Sequence, residues 1–175
     1  MMKRMAFVLF LAAIIIPTVA IGMEEGTRHI TGKETDLYFM NDKVFGVVQS
    51  RPLWAIYNCG SDIEGEIDIG GSYQRFNFQF RNEGAQRITG SFGSLKMALG
   101  KIERKGKGFT YHVIVGNNEY EFSITYKRVE AEHLVDSLIE GALDGRKIRL
   151  SVDGHLCPFA TTGIILIVVG SVALS

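Results

Sequence analysis

The chain lacks most of the features by which a sequence declares its chemistry. No two of its four histidines, His29, His112, His133 and His155, share a ligand spacing such as H-x-x-x-H. No metal site is indicated, and each histidine reads as a surface or strand-edge residue. There is no G-x-S-x-G elbow and no paired Cys–His motif, so no nucleophile is identified. The glycine-rich stretches carry no P-loop lysine and do not open helices, so no phosphate-binding loop and no cofactor follow from them. An excess of one charge is also missing. Nineteen basic side chains stand against 19 acidic ones, which gives no electrostatic reason to expect nucleic acid as a partner. Internal repeats, linkers and low-complexity segments are absent, and a second domain is not expected.

What is present begins at the N-terminus. Lys3 and Arg4 precede an unbroken apolar run from Met5 to Ile16, Pro17 and Thr18 break it, and small residues follow at Ala20 and Gly22. A basic start, an apolar core of about a dozen residues and small residues at the −3 and −1 positions make up a secretory signal peptide, here residues 1–22. Cleavage after Ala20 or after Gly22 satisfies the rule. The run is shorter than the roughly 20 residues of a membrane span, and no cysteine adjoins the cleavage site to carry a lipid. The expected location is therefore outside the cytoplasm: periplasmic, cell-surface or secreted. Loss of Lys3 and Arg4 leaves 17 basic residues against 19 acidic, a net charge near −2. The two cysteines, Cys59 and Cys157, lie almost 100 positions apart, and in an oxidising compartment such a pair predicts a disulfide.

Residues 23–156 read as one mainly β domain. Ile63, Gly65, Ile67 and Ile69 alternate with Glu64, Glu66 and Asp68, and Gly70-Gly71 offers a two-residue hairpin turn. Pairing across that turn sets Ile63 opposite Phe78, Gly65 opposite Phe76 and Glu66 opposite Arg75, so apolar meets apolar and acid meets base. A second hairpin, turning at Asn117-Asn118, pairs Val115 with Tyr120, Val113 with Phe122 and Tyr111 with Ile124. Shorter strand candidates are Asp36 to Met40, Lys43 to Gln49, Leu53 to Asn58, Arg87 to Phe92 and Ser94 to Ile102. Between Val129 and Val152 two patterns compete. Ala131, Leu134, Val135 and Leu138 follow helical spacing, whereas Asp144-Gly145 is a strong hairpin turn that pairs Ile139 with Leu150, Glu140 with Arg149 and Gly141 with Ile148. A short helix from Val129 to Ser137 followed by a hairpin accommodates both. The resulting fold class is an antiparallel meander forming a small barrel or a sandwich, with one short helix and an apolar C-terminal segment.

That segment, 157–175, carries no charge from Cys157 to Leu174. As a helix it would rise about 27 Å, just short of a hydrocarbon core of about 30 Å. It reads as a membrane anchor, making the membrane a partner, or as a buried strand or core helix. A removable sorting signal is a third reading, although the polar spacer it requires is poorly formed.

Candidate binding residues are aromatic. Trp54 and Tyr57 lie in a short apolar strand near Cys59, and Phe76 and Phe78 stripe another. In a barrel they would line a pocket for a small apolar ligand, and otherwise they form ordinary core. The acidic ladder Asp62, Glu64, Glu66 and Asp68 reads as a solvated face paired with Arg75, because one strand alone cannot wrap a calcium ion. The basic cluster Lys101, Arg104, Lys105 and Lys107 reads as a solvated hairpin turn. The sequence thus predicts an exported β-domain protein with a structural or binding role at the cell envelope, non-enzymatic, whose protein or small-ligand partner it does not identify. The alternatives are a barrel that carries a small hydrophobic ligand and a hydrolase whose groups converge only in three dimensions.

Overall fold

A computed structural model of the chain describes residues 27–58, 60–81, 87–106, 108–130 and 133–175; the side chains of 81, 87, 128–130 and 133–135 are outside the description. The proposed signal peptide and Cys59 lie outside the described residues. Twelve strands follow in order: β1 (Arg28–Gly32), β2 (Thr35–Met40), β3 (Lys43–Val48), β4 (Arg51–Asn58), β5 (Asp62–Ile69) and β6 (Ser72–Arg81), then β7 (Arg87–Phe92), β8 (Leu95–Lys105), β9 (Gly108–Val115), β10 (Asn118–Glu130), β11 (His133–Leu143) and β12 (Arg146–Asp153). One helix, α1 (Pro158–Ala173), ends the chain. Each strand pairs antiparallel with its sequence neighbours, and β1 pairs with β12, so the meander closes into a barrel without a free edge.

The alternation along each strand decides what faces inward. Ile30, Leu37, Val44, Leu53, Ile63, Phe78, Val113, Phe122, Ile139 and Leu150 are buried on the inner wall. Charged residues such as Glu64, Lys101, Glu121, Lys147 and Arg149 are exposed on the outer one. A lipid-embedded barrel shows the reverse, with apolar residues outward and a polar interior.

The hairpin about Gly70-Gly71 has the expected register, Ile63 opposite Phe78 and Glu66 opposite Arg75. So does the hairpin about Asp144-Gly145, with Ile139 opposite Leu150 and Glu140 opposite Arg149. The β9–β10 hairpin requires a correction. Tyr120 faces Val113 and Phe122 faces Tyr111, because the turn is centred on Gly116-Asn117 and not on Asn117-Asn118. Gly116 has φ +59, a left-handed conformation that glycine adopts at lower cost than asparagine. The displacement is by two residues, so the inward face is unchanged. A second correction concerns Val129 to Ser137. No helix forms there; β10 runs to Glu130 and β11 starts at His133, with 131–132 outside the described residues. The helical spacing is overridden because β11 must span the gap between β10 and β12, where Ser137 pairs with both Tyr126 and Val152.

The C-terminal segment is a core element in this structure. Every residue of α1 from Ala160 to Val172 is buried, on all sides of the helix, as expected for a helix without a polar face. Its contacts reach inward residues of several strands: Phe159 packs on Phe80, Gly163 lies beside Ile63, Gly170 beside Phe92, and Val172 receives a bond from Arg146. The helix therefore runs down the lumen. Its 16 residues rise about 24 Å, enough to traverse a barrel of eight-residue strands. Among the described residues no helix is long and apolar enough to cross a membrane.

Both helix ends are satisfied. Cys157 is the N-cap, its sulfur accepting from the Ala160 amide at 3.4 Å, and Pro158 occupies the first turn, where its missing N–H costs nothing. At the other end Arg146 donates to the Val172 carbonyl at 3.0 Å and Arg51 to the Ser171 carbonyl at 3.4 Å. Two cations at the negative end of the helix oppose its dipole.

Candidate functional site on the rim and outer wall

Trp54 and Tyr57 differ by three positions, so a strand must send them to opposite sides of the wall. Tyr57 points inward. Its hydroxyl lies 3.0 Å from the Cys157 sulfur, and its ring packs on Phe39 and Phe80. Phe76 and Phe78 are also inside, fully buried, with Phe76 stacked on Phe92 at 5.3 Å. These three rings belong to a filled core. The sequence grouping of four pocket aromatics is thereby divided, and Trp54 alone reaches the surface.

Cys157 is a free thiol in this structure. Its proposed partner, Cys59, follows Tyr57 by two positions but lies outside the described residues. Near Cys157 the phenol of Tyr111 is pushed well above the ordinary tyrosine range, chiefly by burial and further by Tyr126 and Cys157. Tyr126 is raised by burial as well.

On the outer wall the register assembles a row across four strands. His29 faces Tyr38, Tyr38 faces Phe45, and Phe45 faces Trp54. The rings of His29 and Tyr38 stack at 4.5 Å, and those of Tyr38 and Phe45 at 5.8 Å. The row continues into Glu66 and Arg75, which pair at 2.9 Å. Trp54 is 49% exposed. Beside it lies a shallow groove of about 290 Å³ bordered by Glu64, Glu66, Arg75, Asn77 and Ser91. Its two carboxylates are tied to Arg75 and Asn77, as the solvated-face reading of the acidic ladder expects.

A separate polar cluster surrounds His112 on β9. A bulge in β8 between Leu99 and Lys101 brings Glu103 beside the imidazole, 3.3 Å from Nε2, while Glu119 lies 2.7 Å from Nδ1. Lys101 bonds Glu103 at 2.7 Å, which raises the lysine above its usual range. The same bond, together with one from His112, lowers Glu103. So the basic cluster read as a solvated turn is partly an ion-paired network; Lys107 is outside the described residues. Among the described residues no group of His, Cys, Asp or Glu could hold a metal ion.

The more enclosed cleft lies at the barrel rim, where α1 ends. It holds about 440 Å³. It is bordered by Ile148 and Leu150 of β12 and by Val168 and Val172 of α1, with Lys33 and Arg146 at the rim, whereas Lys147 and Arg149 alternate with Ile148 and Leu150 and stand on the outer wall. It lies between α1, β12 and the β1–β2 turn. Sequence reasoning missed this site. Its cations come from opposite ends of the chain and meet only because β1 pairs with β12.

No protein-family model, curated protein or solved structure matches this chain.

Proposed function

We propose that this is an exported, non-enzymatic barrel with a structural or binding role at the cell envelope, and that it makes its contacts through its outer wall and rim. The observation that carries this reading is the lumen, which is filled by the chain's own C-terminal helix. A barrel of twelve strands is wide enough for a ligand cavity, and here α1 takes that space. The carrier alternative is thereby confined to the rim cleft. The hydrolase alternative asks for converging carboxylates or a Ser–His pair in a deep pocket. The rim cleft has a single carboxylate, Glu34, and the paired carboxylates Glu64 and Glu66 stand in a shallow groove already engaged by Arg75 and Asn77. Export is supported by the basic, apolar and small-residue pattern of residues 1–22.

Two measurements test this. Fractionation of cells expressing the full sequence, with the intact mass of the product, should find a chain lacking 20 or 22 residues outside the cytoplasm. An unprocessed cytoplasmic product would overturn export. Titration with the uncharged apolar dye N-phenyl-1-naphthylamine should give no saturable fluorescence gain, since the lumen is occupied. A saturable gain would restore the hydrophobic-carrier reading.

A further inference from the structure

The exposed large apolar side chains of the described residues are confined to one sector of the outer wall: Trp54 (49%), Ile56 (36%) and Tyr73 (67%). Trp54 and Ile56 belong to β4 and Tyr73 to β6, so they flank the acidic strand β5 on either side. Trp54 and Ile56 alternate with the buried Leu53, Ala55 and Tyr57, and Tyr73 shares the parity of the exposed Arg75, so all three face outward. Apolar residues scattered singly over a surface need no explanation, but their concentration about one strand marks a contact surface.

The groove in this sector is aromatic on one side and polar on the other. Trp54 faces Glu66, which faces Arg75; in the next outward row Ile56 faces Glu64, which faces Asn77. The stack of His29, Tyr38 and Phe45 stops short of Trp54, whose indole meets no other ring among the described residues. Glu66 accepts from Arg75 at 2.9 Å and Glu64 from Asn77 at 3.1 Å. Each bond uses one carboxylate oxygen. The second oxygens and the terminal nitrogens of Arg75 make no other hydrogen bond among the described residues. Pairing thus fixes these groups before a ligand arrives and lowers the ordering cost of binding.

An open aromatic face beside fixed donors and acceptors suits a molecule with a flat C–H face and a rim of hydroxyls. A pyranose ring has both. Its C–H groups rest on the negative face of the indole, and each hydroxyl can donate to a carboxylate while accepting from a guanidinium or an amide. Strands β4 and β6 stand about 10 Å apart, so a ring over Trp54 brings its edge to the carboxylates of β5 between them. The volume of about 290 Å³ lies at the lower end of small-molecule sites. Two acids against one cation disfavour an anionic ligand. A protein partner would seat its anchors in a desolvated apolar pocket, whereas this groove is shallow and bordered by charge. We infer that the groove beside Trp54 binds an uncharged saccharide, one pyranose ring stacked on the indole and its hydroxyls held by Glu64, Glu66, Arg75 and Asn77. This rests on the reading of the protein as a binding module that makes contacts through its outer wall, and names the ligand class for one of its surfaces.

Trp54 is the single tryptophan of the chain, so its fluorescence reports on the groove directly. Titration of the full exported chain with cellotetraose, chitotetraose and maltotetraose should give a saturable change in emission with at least one of them. Tetragalacturonate, which is anionic, should bind about tenfold more weakly than the best of these. By isothermal titration calorimetry, Trp54→Ala should weaken that saccharide by about tenfold, whereas Trp54→Tyr, which keeps an aromatic face, should stay within about threefold. Both variants alter an exposed side chain, and an unchanged urea midpoint shows that the fold is intact. No saturable response to any of the three neutral probes would overturn the inference. Undiminished binding by Trp54→Ala would remove the saccharide from this groove, and equal binding of tetragalacturonate would overturn the choice of an uncharged ligand. An emission change that follows protein concentration alone would assign the surface to a second copy of the chain. None of these failures bears on dye exclusion from the lumen or on export, so the broader reading is judged separately.

Discussion

The two glycines of α1 provide a controlled pair for testing how tightly the helix fits its barrel. Replacing either by alanine should stabilise the helix itself by about 1 kcal/mol. The surroundings then decide the sign. At Gly163 a new methyl would lie 3.2 Å and 3.3 Å from Ile63 carbons, a contact that a small adjustment accommodates. At Gly170 it would fall 2.5 Å from two ring carbons of Phe92 and 2.9 Å from its Cβ. Phe92 is fully buried and lies nearly parallel to Phe76, with 7° between the rings, so it cannot swing aside. Overpacking of this kind costs about 1–3 kcal/mol. Gly163→Ala should therefore be neutral or stabilising by up to about 1 kcal/mol, and Gly170→Ala destabilising by up to about 2 kcal/mol. The assay is urea unfolding of both variants at unchanged m-value, read as the shift in midpoint. Adding Phe92→Leu to Gly170→Ala should cost less than Phe92→Leu costs alone, because the new methyl then occupies vacated space. If Gly170→Ala proves at least as stable as Gly163→Ala, the helix is not packed against β7 as described.

Further expectations follow from the same packing. Truncation after Leu156 removes seven large apolar side chains from the lumen, Ile164 to Val169 and Val172. At about 1.5–3 kcal/mol each this is roughly 10–20 kcal/mol, as much as the entire stability of an ordinary domain. The truncated chain should lack cooperative unfolding by circular dichroism, and a cooperative melt would refute that estimate. Arg146→Leu should cost about 1–2 kcal/mol through loss of the charged bond to Val172, measured by the same urea assay. Burial raises the phenols of Tyr111 and Tyr126, so folding favours their neutral forms. That contribution is complete below the ordinary tyrosine pKa and is lost as pH rises through the raised values. In an alkaline titration at constant temperature their phenolate absorbance should appear only together with unfolding. The disulfide expected for an oxidising compartment is tested by alkylating the denatured, unreduced protein: a Cys59–Cys157 bond would leave both thiols unmodified, and quantitative alkylation would dismiss it.

The parts of the fold legible in the sequence were those where a turn fixed the register. Gly70-Gly71 and Asp144-Gly145 each permit one pairing that matches apolar with apolar and acid with base, and both pairings are present. Asn117 was ambiguous because its neighbours on either side also tolerate turns. The strand β1 left almost no trace, since RHITG offers only Ile30 to the core. The helical spacing around Leu134 was a local preference that barrel closure overrode. The tail was ambiguous for a deeper reason. A helix inside a barrel and a helix inside a bilayer both meet apolar surroundings on every side, so composition cannot separate them. Of the candidate site residues, the separation of Trp54 from Tyr57 follows from strand parity. The rim cleft does not follow from any local pattern, because Lys33 and Arg146 are joined by tertiary closure alone.

Helix α1 resides in the lumen as part of the cooperative core. Native-state hydrogen exchange of the amides from Ile164 to Val169, compared with Val113 and Phe122 in the wall, tests it most directly. Helix and wall should exchange with the same opening free energy, that of global unfolding. Faster exchange in the helix, at a free energy well below that of the wall, would show instead that α1 leaves the barrel while the wall stays closed.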